Sequence, residues 1–219
     1  VRPADRERLA RAYAEKLSDK VLPAYKRLHD FLKDEYLAQA RKGVGWSELG
    51  NGAEWYAYLV RYHTTAKMTP EEVHELGLKE VARIRGEMER IKNQLGRGGD
   101  LRSFFDALRA DPNLYFTDPA ELIAGYQVIR ERVDQGMPLL FARSPKAGFQ
   151  VRPVEAFRAA SEAAGSYSPG SPDGKRPGVF YVNTYDLPSR PKYAMEALFL
   201  HEAVPGHHYQ FAIAQEATE

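Results

Sequence analysis

The chain has 219 residues, 43% of them hydrophobic, and Lys+Arg and Asp+Glu nearly cancel to a net charge of +1. That balance removes the electrostatic case for nucleic acid or a charged membrane surface, and the absence of cysteine excludes disulfides, thiol catalysis and cysteine-based zinc sites. No apolar run approaches the ~18–20 residues of a membrane span, and the length suits one domain or a domain and a half.

Between positions 3 and 42, apolar and aromatic side chains recur at Leu9, Tyr13, Leu17, Val21, Tyr25, Leu28, Leu32 and Tyr36. Steps of four and three predict one long amphipathic helix, with Tyr13, Tyr25 and Tyr36 in its core stripe. Pro23 should bend it or divide it. Gly43 to Gly52 reads as a loop around Trp46, and 53–63 as a short aromatic helix. Thr69-Pro70-Glu71-Glu72 carries a helix start, with Thr69 as N-cap, Pro70 at the first position and Glu72 closing a capping box. That helix should run to about Leu95, where Gly96 and Gly98-Gly99 stop it. Its charges alternate in sign (Arg83, Arg85 and Arg90 with Glu80, Glu87 and Glu89), which marks a solvated face. His29, His63 and His74, on predicted helices among polar neighbours, read as ordinary histidines. Gly96-Arg97-Gly98-Gly99 has no preceding strand and no Lys-Ser/Thr, so it is not a phosphate loop.

Leu101 to Leu108 reads as another short helix. Asp118-Pro119-Ala120-Glu121 opens one more, expected to end near Gly136. The pattern then changes. Phe149 to Val154 reads as a strand, 165–178 as a Gly/Ser/Pro-rich loop, and Val179 to Tyr185 as a strongly β-prone strand. The expected fold is mainly α (α+β), a multi-helix body with a small β-sheet beside the last helix. The expected organisation is a helical region over 1–148 and a region of sheet plus histidine helix over 149–219.

The last helix carries the chemistry. An apolar run, 194–200, leads into His201-Glu202-Ala203-Val204-Pro205-Gly206-His207-His208, which holds three of the six histidines. Neutral imidazoles are the commonest protein ligands of zinc, and a glutamate beside a ligand can serve as general base, the logic of the His-Glu-x-x-His helix. The spacing differs from that motif. On an ideal helix position 207 points about 240° away from 201, and position 208 lies ~10.5 Å up the axis. Pro205 and Gly206 offer the remedy, because proline removes an amide donor and glycine tolerates unusual dihedrals. A bulge absorbing two residues brings His207 to the place of a fourth-residue ligand; the alternative is a helix ending near Val204, with both histidines on the next turn. His207 is favoured over His208 as second metal ligand beside His201, and His208 then falls to a supporting or transition-state role. Either way, 204–207 should not be regular α-helix. Glu202 should stay a non-ligand. His208, Tyr181 and Tyr185 are candidate donors to an oxyanion. Arg190, between Ser189 and Pro191, either binds a substrate carboxylate or packs its loop.

The string from Leu200 to Gln210 resembles the signature of the bacterial DUF885 proteins. Tyr62-His63-Thr64-Thr65, the segment Thr69 to Leu78, and Phe180 to Pro191 agree with it, and the similarity runs from roughly Gly52 to the end and more loosely over the first helix. The resemblance implies a gluzincin-like zinc metallopeptidase, with His201 and His207 as ligands and a third ligand from a Glu on a helix beyond residue 219. The chain then reads as a fragment of a larger domain that binds zinc poorly alone, since Glu216 and Glu219 are poorly placed to complete the site. By the same analogy 179–185 is the substrate-pairing edge strand; an ordinary strand buried in the sheet fits its residues equally well. The expected partner is a peptide substrate, with no nucleic acid and no membrane span. The compartment stays open between cytoplasmic and exported. Two other classes compete: a non-catalytic helical peptide- or partner-binding protein keeping a degenerate metal motif, and an iron-dependent oxidoreductase. The adjacent Glu, without a nearby carboxylate ligand, favours hydrolysis over an iron triad.

Overall fold

A computed structural model describes residues 2–217. The chain divides into two compact units, Val1–Arg85 and Gly86–Glu219, and the division falls inside α5 (Pro70–Gln94).

In the first unit, α1 (Pro3–Lys16), α2 (Leu22–Phe31) and α3 (Leu37–Gln39) form one helical run joined by π turns at Leu17–Val21 and Leu32–Tyr36. Pro23 lies in the first turn of α2, directly after a π turn. The widened turn accommodates its ring and missing donor, so the proline does not divide the helix. The stripe is not a core, however: Tyr13 and Tyr25 are each 69% exposed and Tyr36 is 56% exposed. Periodicity defines a face, but burial requires a partner, and no residue of this run is buried. α4 spans Gly52–Thr64. The capping box of α5 forms as expected: Glu72 N–H donates to Thr69 Oγ1 (3.2 Å) and Thr69 N–H donates to the Glu72 carboxylate (2.8 Å). His29, His63 and His74 are exposed.

The second unit holds α6 (Leu101–Ala110), α7 (Pro119–Leu140) and a three-stranded sheet. Asp100 and Asp118 cap α6 and α7 through their side chains. α7 runs past the expected stop at Gly136 because Val133 and Met137 pack against the core; tertiary contact outweighs the ~1 kcal/mol helix cost of one glycine. The sheet order is β1-β3-β2, from β1 (Phe149–Pro153), β2 (Gly165–Ser168) and β3 (Gly178–Val182). β1 pairs parallel with β3, and β2 antiparallel.

Two expectations are corrected here. Gly165–Ser168, read as loop, is a strand. Its Gly-Ser-Tyr-Ser has little strand propensity of its own, and pairing with β3 supplies the order. β3 is the central strand with partners on both sides, so 179–185 does not offer a free edge to a peptide. It also ends at Val182, because Asn183 turns the chain: its Oδ1 accepts from Tyr185 N–H (2.9 Å), and its Nδ2 donates to the carbonyls of Ala159 (2.8 Å) and Glu162 (3.0 Å).

β3 is buried along nearly all its length, as a central strand in a covered sheet should be. Phe180 and Phe199 are fully buried, with ring centroids 6.1 Å apart, and Tyr126 of α7 meets Phe180 edge-on at 5.2 Å. This cluster, with Leu122, Val182 and Met195, fixes the helix that carries the histidines against the sheet. Phe180→Ala should therefore destabilise the protein by about 3–5 kcal/mol, read as a shift in the denaturant midpoint.

Candidate metal centre

The histidine helix is broken where the spacing requires. α9 (Met195–Glu202) ends at Ala203, whose backbone leaves the helical region, and α10 begins at His207 and runs to Glu216. The Val204–Pro205 peptide is cis. Tyr209 N–H donates to the Ala203 carbonyl (3.3 Å), six residues back rather than four. Two residues are thus looped out, and His207 takes the position that a fourth residue after His201 holds on a regular helix.

Gly206 makes this fold-over possible. A Cβ at this position would lie 1.9 Å from the His201 carbonyl oxygen and 2.4 Å from its carbon, so only glycine lets the two backbone segments approach this closely.

The result is a convergent group. The rings of His201 and His207 stand perpendicular with centroids 4.8 Å apart. One donor atom each from His201, Glu202 and His207 lie within 4.8 Å of one another. Donors on a four-coordinate zinc sit about 3.3 Å apart, so modest side-chain rotation closes the group on an ion. Two imidazoles and a carboxylate also form a donor set suited to zinc. Glu202 is only 8% exposed, yet its carboxylate has no hydrogen-bond donor among the described residues. No side-chain oxygen sealed from solvent lacks a partner among the described residues, so the Glu202 carboxylate keeps contact with open space.

The other residues singled out above lie elsewhere. His208 is buried: its Nδ1 bonds the Tyr167 hydroxyl at 2.9 Å and its ring packs on Phe149 (4.6 Å). Burial holds its pKa below the ordinary histidine value, so it is neutral at physiological pH. It fastens the start of α10 to β1 and β2 and thereby aims His207. Tyr181 is not brought to the cluster. Phe180 faces α9, so its neighbour projects from the opposite face of the sheet, where the Arg158 guanidinium covers its ring at 5.0 Å. Tyr185 is exposed and outside the strand. Glu216 accepts from Lys146 N–H (2.6 Å) and lies 4.0 Å from Arg143, far along α10; Glu219 is outside the described residues. Sequence reading missed Tyr167, because 41 residues separate it from His208 and its segment carries no strand signal.

A family model described as "Bacterial protein of unknown function (DUF885)" matches residues 1–219. A crystal structure of "the putative lipoprotein from Colwellia psychrerythraea" shares the fold, with a TM-score of 0.90 and 27% sequence identity over 99% of this chain. The chain spans 38% of the length of that structure. No curated protein matches it. No helix among the described residues is long and apolar enough to cross a membrane.

Proposed function

We propose, for a chain that belongs to the DUF885 family of bacterial proteins, that it carries part of the active site of a zinc-dependent hydrolase, most simply a metallopeptidase. The observation behind this reading is the carboxylate of the largely buried Glu202, without a hydrogen-bond donor among the described residues, set beside two apposed imidazoles. A surface histidine pair would not need a two-residue loop-out and a close backbone approach to form.

A zinc ion held by His201 and His207 would polarise a water and lower its pKa to roughly 7. Glu202 accepts the proton of the attacking water and returns it to the leaving amine. His201 and His207 would hold the ion through neutral imidazoles, since a protonated imidazole has no lone pair for a metal. His208 supports His207 through α10. Catalytic zinc sites generally use three protein ligands and an open position; the third is proposed to be a carboxylate carried by a helix beyond residue 219, as in gluzincin-like enzymes. The likeness to a protein named as a lipoprotein favours an exported location.

Calorimetric titration of zinc is the direct test. Residues 1–219 should bind at least about tenfold more weakly than a protein extended through the following helices. Equal, tight binding by both would place the whole ligand set within this chain. Turnover restored by zinc and not by iron separates this reading from an iron oxidoreductase.

A further inference from the structure

A cavity of about 180 Å³ opens between the end of β3, the start of α9 and the middle of α7. It is smaller than the roughly 300–1,000 Å³ of sites for drug-sized ligands and suits one amino-acid-sized group. Most of its wall is apolar, from Leu122, Met195 and Leu198, and four polar side chains line it: Asn183 and Ser189, which are engaged in the loop after β3, and Tyr126 and Arg190.

Tyr126 and Arg190 have hydrogen-bonding capacity left over. Tyr126 is 3% exposed, and its hydroxyl has no partner among the described residues. Among the described residues no sealed side-chain oxygen is left unpartnered, so this hydroxyl reaches open space, and the cavity that Tyr126 lines offers that space. Burial pushes the phenol to about 12, with the Arg190 charge acting in the other direction; the group is a protonated donor at any physiological pH. Arg190 donates Nε–H to the Asn183 carbonyl (3.3 Å), which orients the guanidinium, and Nη1 and Nη2 have no partner among the described residues. A half-buried guanidinium without an acid, beside an unused hydroxyl in an apolar cup, matches an anion that brings its own apolar substituent. The planar fork can hold a carboxylate bidentately, and a single positive charge balances one carboxylate but not the two charges of a phosphate dianion.

We propose that this cavity binds a free carboxylate attached to a compact apolar group, as at the C-terminal residue of a peptide, with Arg190 and Tyr126 as its donors. The cavity lies along the face of α9 that carries the metal cluster. Ala194, Met195 and Leu198 line it, and His201 and Glu202 follow Leu198 by three and four residues, about one turn further on the same face. Its use as a substrate pocket rests on the hydrolase reading and would direct cleavage to peptide C-termini; its binding of carboxylates does not depend on a metal.

The experiment titrates the metal-free protein with N-acetyl-leucine, N-acetyl-leucinamide and inorganic phosphate, followed by amide chemical shifts and calorimetry. N-acetyl-leucine should bind at about millimolar Kd, as its size allows, and shift the signals of Asn183, Ala194 and Leu198. The amide and phosphate should each bind at least about tenfold more weakly. Arg190→Gln should lower the affinity by about tenfold or more, the scale of a lost charge-assisted contact. Arg190 also holds the Asn183 loop, so two milder variants stand beside it. Tyr126→Phe should weaken binding about threefold, and Ala194→Phe should block the mouth while leaving both donors in place. Equal binding of the amide would make the cavity merely apolar. Equal binding of phosphate would make it a general anion site, and no binding, or full binding by Ala194→Phe, would overturn it outright. Because no metal is present, none of these outcomes depends on whether Glu202 is a base. A C-terminal amide turned over as fast as the free peptide acid would remove only the cavity's role in the reaction.

Discussion

Glu202→Gln should lower hydrolysis by the full-length protein by ~10²–10⁴-fold, the usual contribution of a general base, while metal content stays nearly unchanged. The substitution keeps the shape and polarity of a side chain that is only 8% exposed and removes only its capacity to take a proton. Folding should be little affected, because the carboxylate makes no hydrogen bond to the described residues that the amide would lose. The two measurements separate the roles that geometry alone leaves together, since Glu202 lies in the same 4.8 Å group as the histidines. Loss of metal from the variant would make Glu202 a ligand. Wild-type turnover would remove it from the mechanism. Metal binding without hydrolysis by the unsubstituted full-length protein would leave the non-catalytic reading of the motif standing.

Gly206→Ala should disrupt the metal centre although it adds only one methyl group. The added carbon would stand 1.9 Å from the His201 carbonyl oxygen and 2.4 Å from the Leu200 carbonyl oxygen. Both are backbone atoms, so no side-chain rotation relieves the overlap. α9 and α10 must separate, and the 4.8 Å apposition of the His201 and His207 rings is lost with them. Zinc affinity should fall by about 10–100-fold, as when the supports of a metal ligand are removed, and turnover by a similar factor or more, since misplacement by about 1 Å can itself cost ~10² in rate. Alanine otherwise favours helix over glycine. A variant with normal zinc affinity would therefore show that the close approach at Gly206 does not hold the site together. Far-ultraviolet circular dichroism should change little, since one junction and no whole helix is disturbed.

Sequence by itself determined the parts governed by local rules. The capping box at Thr69–Glu72, the Asp100 and Asp118 caps and the long first helix follow from short-range hydrogen bonding and helical period, and they form where the residues place them. The break at 203–206 was equally legible: six residues cannot bring two imidazoles together on a straight helix, and Pro205-Gly206 supplies the means of looping two residues out. What only the tertiary structure decided are matters of partnership between distant segments. The stripe from Tyr13 to Tyr36 has the period of a core, but a stripe cannot encode whether another element covers it. Gly165–Ser168 becomes a strand through β3, not through its own residues, and the same pairing makes β3 central and turns Tyr181 away from the histidines. His207 and His208 are adjacent and chemically identical. Which one faces His201 and which enters the core is set by Tyr167 and Phe149, at least 41 residues upstream of His208. The cavity at Tyr126 and Arg190 joins α7 to the loop after β3, and local spacing carries no record of contacts made at that range.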